Sequence, residues 1–485
     1  MTAEQPAEGS PAFYEWVFAM TTRFHGKPWL LHRPGRPDML VVSSPEAFED
    51  IQRTFATQFE KVDCEAEGLA HDVHGGAIAF VYSGQLRPSV STQRQLAASV
   101  LGSPALRLQA SVLVKRHVPS LLRLLGDAAD EARMQTTGTA SLDVAKIMRE
   151  FSMEVFTELG FGLRLGALQS QHGDSSELEK AVDDIQGRVL GRLKRPAVAW
   201  KLERLLDVGS EAALGRSVKV VSTITLGAVE TKRKRRRGDD VIDSPGSRVD
   251  MLDLLLGQKC NSKSSKDPEF LAEFVLGLVV AARDSMAHAL STCLQFLAQH
   301  PEEQEKLVRE LKEAEEEGKD LQSVAQLEAV VKEALRLQPS KPFIRRRARL
   351  GTVLTDGTFV AAGTEVAMDL YSMARRENVW GPASAQFRPQ RWIDSTTGKL
   401  RPTSNYKFNA FLGGPRACLG ADLAMTEMKT VLAEVIARIG FDAVEPRICE
   451  KTSNKDKTMT RGLECDGAVR VLVRRRSPNP PGQFS

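Results

Sequence analysis

From Leu419 onward the apolar residues fall at Leu423, Met428, Val431, Leu432, Val435, Ile436 and Ile439, a three-and-four spacing that predicts an amphipathic helix. The segment from Asp267-Pro268-Glu269 to His300-Pro301 differs in kind. Apolar residues cover most of its circumference through Phe270, Phe274, Val275, Leu278, Val279 and Val280, so this helix of ~50 Å is expected inside the molecule. Asp267 suits its N-cap, and Pro268 suits N1, where no amide hydrogen is needed. Helices are also read within Val112 to Gly166, over the acidic stretch Pro301 to Glu317, and around Val330 to Leu337. Asp38 to Ser43 reads as a strand and Ser44-Pro45 as a helix start. Asp356-Gly357 and Ala362-Gly363 punctuate alternating strands from Val353 to Met368. The fold class is therefore mainly α with small β-sheets, an α+β arrangement.

Composition changes this picture little. The 485 residues are 42% hydrophobic and 26% charged, an ordinary globular mixture. Length alone suggests about three domains at ~150 residues each, but the landmarks are spread over one helix-rich unit, so a single domain 1–485 is expected. A net charge of +4 is too small to imply nucleic acid, and none is expected as a partner. The six cysteines show no C-x-x-C pairing, which indicates neither a zinc site nor a disulfide framework and fits a reducing compartment. Residues 1–30 contain no visible transmembrane anchor: Met1 to Ser10 is polar, and the apolar stretch Phe13 to Met20 is broken by Glu15. Residues 231–249, with the basic run Lys232 to Arg237, read as a solvated inter-helix loop, the alternatives being an anionic-surface contact or a nuclear address.

The chemistry concentrates in Phe411-Leu412-Gly413-Gly414-Pro415-Arg416-Ala417-Cys418-Leu419-Gly420. Only a thiolate binds metal well, so something must lower the Cys418 pKa. The positive end of the following helix would help. Gly413, Gly414 and Gly420 permit backbone angles that aim amides at the sulfur and let a flat ligand approach. Arg416 supplies a cation for a carboxylate, and Phe411 cover from water. A glycine-rich turn holding a buried cysteine is the plainer alternative. In the long helix, Arg283-Asp284-Ser285 is anomalous, because a buried acid must be satisfied or kept for a task.

The complete pattern F-x-x-G-x-R-x-C-x-G resembles the cysteine loop of the cytochrome P-450 family of haem-thiolate monooxygenases. The resemblance implies the family fold, with haem b (iron protoporphyrin IX) between the long central helix and the cysteine-loop helix, and Cys418 as the iron ligand. Phe411, Gly414, Arg416 and Gly420 would complete the loop. Ala281-Ala282-Arg283-Asp284-Ser285-Met286 resembles the family's A-G-x-D-T-T, whose acid and alcohol relay protons during dioxygen activation, with Ala282 and Met286 as departures. Arg94 takes the place of a propionate arginine, although Val90 stands where the family has tryptophan. Arg346 matches a second propionate arginine, with Arg345 and Arg347 leaving the register open. Glu333, Arg336 and Arg391 match a buried structural triad.

Details at Leu370 to Met373 and Phe387 to Trp392 look most like the branch that hydroxylates fatty-acid chains, often at the terminal carbon. The implied activity inserts one atom of O2 into an unactivated C–H bond of a lipophilic substrate. Electrons would come from NADPH through a separate flavoprotein reductase docking near Lys429 and Arg416. Family members of this type work at the cytosolic face of the endoplasmic reticulum membrane. A missing anchor leaves a cytosolic protein or peripheral membrane contact. The alternatives are a reductase-independent enzyme that rearranges lipid hydroperoxides, and a non-catalytic haem-binding protein.

Overall fold

The computed structural model describes residues 6, 10–33, 37–62, 90–134, 141–166, 168, 176–192, 195–237, 249–257, 267–444 and 469–476. Helix α1 (Pro11–Arg23) starts at Ser10, whose hydroxyl accepts from the Phe13 amide at 3.2 Å. Strands β1 (Trp29–Leu31) and β2 (Met39–Val42) precede α2 (Pro45–Glu49), capped by Ser44 on the Ala47 amide as its Ser-Pro start predicts. A single π-helical turn, Asp50–Thr54, leads to β3 (Phe59–Lys61). Helices α3 (Val90–Leu101) and α4 (Pro104–Met134), strand β4 (Leu142–Asp143) and helix α5 (Val144–Phe161) follow. Next come α6 (Glu177–Arg192), α7 (Ala197–Leu205), α8 (Gly209–Arg237) and α9 (Met251–Gly257). The long helix is α10 (Pro268–Gln299), followed by α11 (Pro301–Glu316) and α12 (Ala325–Leu337). Strands β5 (Phe343–Ala348), β6 (Thr352–Val353), β7 (Phe359–Val360) and β8 (Glu365–Asp369) lead to α13 (Leu370–Arg375) and α14 (Glu377–Trp380). The cysteine-loop helix α15 (Ala421–Arg438), β9 (Ile439–Ala443) and β10 (Arg470–Arg475) end the described chain.

Hydrophobic burial divides between two sides of the molecule. Helices α4, α5, α10, α12 and α15 share one cluster that includes Leu121, Phe151, Phe274, Leu294 and Val435. A five-stranded sheet in the order β1-β2-β8-β5-β3, parallel only at β2–β8, carries the rest on its two faces. One face buries Phe48, Ile344 and Met368; the other buries Phe13, Val17, Trp29 and Tyr371, so α1 is a docked helix. A second sheet, β4-β10-β9, ties the start of α5 to the end of α15.

One expectation is corrected. The basic run is not a loop through Arg237: it is the last turns of α8. Lysine and arginine are good helix formers, and Lys232 is anchored to Asp250 at 2.5 Å and Asp253 at 2.7 Å. The remainder of that segment, 238–248, lies outside the described residues, as do the segment 63–89 before Arg94 and the side chain of Val90. Among the described residues one helix, Gly209–Arg236, is long and apolar enough to cross a bilayer by length and composition. Leu214, Val221 and Val229 of that helix are buried against the body.

Candidate functional site

The cysteine loop folds as a short 3-10 turn, Gly414–Arg416, held by backbone hydrogen bonds from the Cys418 amide to the Phe411 carbonyl at 2.8 Å and from the Ala417 amide to Gly414 at 3.0 Å. Each glycine serves a different physical need. Gly414 is left-handed at φ +63°, and a side chain there would stand 1.8 Å from the Gln52 carbonyl oxygen. Gly413 has ordinary backbone angles, but a Cβ would strike Tyr406 at 2.4 Å. At Gly420 a Cβ would meet nothing within 4 Å, so the side of the loop beside Cys418 is open to a flat ligand.

Cys418 is exposed while much of its loop is half-buried. Its sulfur accepts the Gly420 amide and feels the charges of Arg94 and Lys341, all of which favour thiolate, yet desolvation outweighs them and holds the thiol above its ordinary pKa. The expected lowering by the protein alone is thus corrected. A bound metal ion removes the proton outright by its own charge. Phe411 is half-buried and meets Phe408 edge-on, ring centroids 6.3 Å apart.

Arg94 is brought to the loop from α3, its Nη2 donating to the Ala417 carbonyl at 2.9 Å. Burial and then the neighbouring Arg416 lower its pKa. Two guanidiniums forced together beside a thiol call for an anion. Arg346 stands on β5 with its Nη1 donating to the Arg345 carbonyl at 2.8 Å. Strand alternation separates the three arginines. Arg347 pairs with Glu365 at 3.1 Å and Arg345 acts on the same carboxylate, which leaves Arg346 on the opposite face with Ile344 and Ala348. The cation of this segment that acts on Cys418 is Lys341. Lys429 departs from expectation: its Nζ is bound to Glu328 at 3.1 Å and to the Gln322 carbonyl at 2.9 Å, so it is not a free docking charge.

Helix α10 is buried around Val279, Val280, Met286 and Ala287, while Ala281 and Ser285 are exposed and Leu278 and Ala282 half-buried. These four lie on one face at i, i+3, i+4 and i+7. Asp284 turns elsewhere. Its carboxylate accepts from Arg283 Nε at 2.8 Å and from Gln186 Nε2 of α6 at 3.0 Å, and Gln186 accepts in turn from Arg283. Arg283 also reaches Asp183 at 2.8 Å. The structure therefore separates the sequence-matched pair: Ser285 on the open stripe, Asp284 in a clasp between α10 and α6.

Glu333, Arg336 and Arg391 are brought together as expected. Arg336 forks onto Glu333 at 2.8 and 2.9 Å, and Arg391 Nε binds it at 2.7 Å. Trp392 Nε1 at 2.9 Å and the Arg388 amide at 2.8 Å complete the carboxylate. No sequence signal marked those last two donors. Gln52 was missed as well, and it proves to bind the cysteine loop from the π-helical turn.

These residues fit a haem. Among the described residues no three His, Cys, Asp or Glu side chains converge on a bare ion, and a macrocycle would bring further ligands of its own to a metal on Cys418. Arg94 and Arg416 would hold its carboxylates, and the open side of Gly420 admits its plane.

Comparison with known proteins gives the same direction. The family model described as Cytochrome P-450 matches residues 13–461. Cytochrome P-450 94C1 of Arabidopsis thaliana is 28% identical over 397 residues, 79% of this chain and 75% of the relative. Cytochrome P-450 94A2 of Vicia sativa is 26% identical over 480 residues, 96% and 87%. Noroxomaritidine synthase 2 of Narcissus pseudonarcissus is 26% identical over 477 residues, 95% and 85%.

Proposed function

The chain belongs to the cytochrome P-450 family, and from that premise we propose that it hydroxylates the hydrocarbon chain of a fatty acid, with Cys418 as the iron ligand. Membership makes it a haem-dependent monooxygenase that takes dioxygen, a small-molecule substrate and electrons from a redox partner. When bound, haem supplies the reductive splitting of dioxygen and the insertion of one atom into a C–H bond. The protein supplies the surroundings. Cys418 would donate electron density, Arg94 and Arg416 would hold carboxylates, and Gly420 would keep the face clear. Ser285 can donate and accept a proton where the stripe of α10 is open.

The observation that carries the substrate reading is that stripe. Leu278, Ala281, Ala282 and Ser285 present apolar surface and a single hydroxyl, which suits an alkyl chain and offers a polar substrate little. At the start of β5 the structure turns the two apolar candidates apart: Phe343 packs on Phe13 and Tyr14 of α1, ring centroids 5.9 Å apart, and Ile344 is buried on the opposite face of the sheet. Electrons from NADPH through a separate flavoprotein reductase complete the proposal, together with a place at the cytosolic face of the endoplasmic reticulum. Contact with that membrane would use α7, where Val198, Leu202 and Leu205 stand 77%, 52% and 81% exposed.

The test is the absorption spectrum of the reduced protein with carbon monoxide, followed by titration with fatty acids of increasing length. A thiolate-type band lost in Cys418→Ser, and a substrate-induced Soret shift that strengthens with chain length, are expected. A band that survives Cys418→Ser, or no shift with any fatty acid, would overturn the proposal. Turnover of a lipid hydroperoxide without reductant would support the rearrangement alternative instead.

A further inference from the structure

Gln52 lies 361 residues before Gly413 in the chain, yet its Oε1 accepts the Gly413 amide at 2.7 Å. The same oxygen accepts Asn409 Nδ2 at 2.9 Å, and Gln52 Nε2 returns a bond to Asn409 Oδ1 at 2.9 Å and another to Met368 Sδ at 3.3 Å. Both amides are buried, Gln52 at 4% and Asn409 at 3% exposure. The backbone joins in, since the Gln52 carbonyl occupies the space a side chain on Gly414 would need. Asn409 and Gly413 bracket Phe411, whose carbonyl receives the Cys418 amide. Fixing the first two fixes the third, and through it the cysteine.

We infer that the Gln52–Asn409 amide pair is a positioning clasp that sets the Cys418 loop for metal binding. This rests on the reading in which Cys418 holds the haem. The clasp is more than general stabilisation because of where its atoms go. Gln52 sits in the lone π-helical turn of the described chain, and that turn is already anchored by Asp50, which accepts from the Thr355 amide at 2.7 Å and its hydroxyl at 2.8 Å. Asp50 bonds to Thr355 in the turn between β6 and β7, Gln52 to the cysteine loop. One turn therefore makes two separable connections, and only the second bears on the thiolate. A buried donor left unpaired costs enough to shift a local equilibrium roughly tenfold.

The experiment uses the haem-loaded protein and four variants: Gln52→Met, Asn409→Leu, the double variant, and Asp50→Ala as a control on the same turn. Three properties are followed: the share of the reduced carbonyl complex showing the thiolate-type Soret band, amide hydrogen exchange over residues 411–418, and melting temperature. Gln52→Met and Asn409→Leu should each raise the thiolate-lost form and loop exchange by roughly tenfold. The double variant should be no worse than the worse single one, because the two side chains act as a unit. Asp50→Ala should lower the melting temperature and leave the band in place. Parent-like band and exchange in either single variant would overturn the clasp, as would an Asp50→Ala spectrum that changes equally. If Gln52→Met fails to fold, Asn409→Leu reads the same contact from the loop side. Cys418→Ser separates the premise: a band that survives it defeats the assignment of the ligand, whereas a band lost there but unmoved by the clasp variants defeats the clasp alone.

Discussion

Glu427 on α15 is buried with no charge opposing it, and burial alone raises its pKa from 4.5 to about 8. Among the described residues its Oε1 and the Ser152 hydroxyl lack partners, and they face one small pocket with Val114, Phe151 and Met286, with room for a water. Between pH 4.5 and about 8 the folded chain keeps this proton and the unfolded chain has lost it. Folding stability must then fall as pH rises through that window, by at most about 1.4 kcal/mol per pH unit. Glu427→Gln should remove this slope, melting higher than the parent at alkaline pH and no higher at acid pH; parallel melting curves against pH would refute it. Met286 bears on a second prediction. Ala282 adds a methyl to the open stripe, and Met286 replaces a hydroxyl expected from the resemblance, so dioxygen activation should leak peroxide. Ala282→Gly with Met286→Thr should lower hydrogen peroxide released per reductant consumed, and an unchanged ratio would count against it. Those departures were visible in the sequence because a motif framed them. Gln52 was not, since a lone amide in a helical repeat carries no sign of a partner hundreds of residues away.

Local chemistry wrote most of the elements. Proline at N1 marked the start of α10, the three-and-four spacing marked α15, and Ser44 capped α2 as predicted. Charge misled at α8, where a basic run read as solvent-exposed loop continues the helix because Asp250 and Asp253 across from it neutralise Lys232. The pairing of α12 with the segment after α14 was legible only through the motif spacing, and its physical weight only through burial. Glu333 has no exposed side-chain surface and accepts from five donor groups of four residues. Glu333→Ala would strand Arg336 as an uncompensated buried charge and cost about 3–5 kcal/mol. Thermal or denaturant unfolding of the loaded protein checks this, and a loss under about 1 kcal/mol, the scale of an exposed pair, would contradict it.

At the scale of the molecule, membrane contact depends on which surface is presented. Two surfaces compete along α8. At its start stands the apolar face of α7, continued by Leu206 and Val208, 60% and 48% exposed. At its far end, ~40 Å away along the helix axis, stand the exposed cations Lys234, Arg235 and Arg236. A helix of that length lays both ends in one interface only if it lies flat on its exposed face, the other face being packed against α6 and α10. Apolar insertion gains roughly 1.5–3 kcal/mol per large side chain fully removed from water and depends little on salt. Cationic adsorption requires anionic lipid and weakens within a Debye length of ~8 Å at physiological salt. If α7 makes the contact, neutral phosphatidylcholine vesicles should capture the protein about as well as vesicles containing phosphatidylserine. Raising salt should change little, and Leu202→Asp with Leu205→Asp should lower capture at least about tenfold. Capture confined to phosphatidylserine vesicles, abolished by salt and indifferent to the two aspartates, would transfer the contact to the basic end of α8.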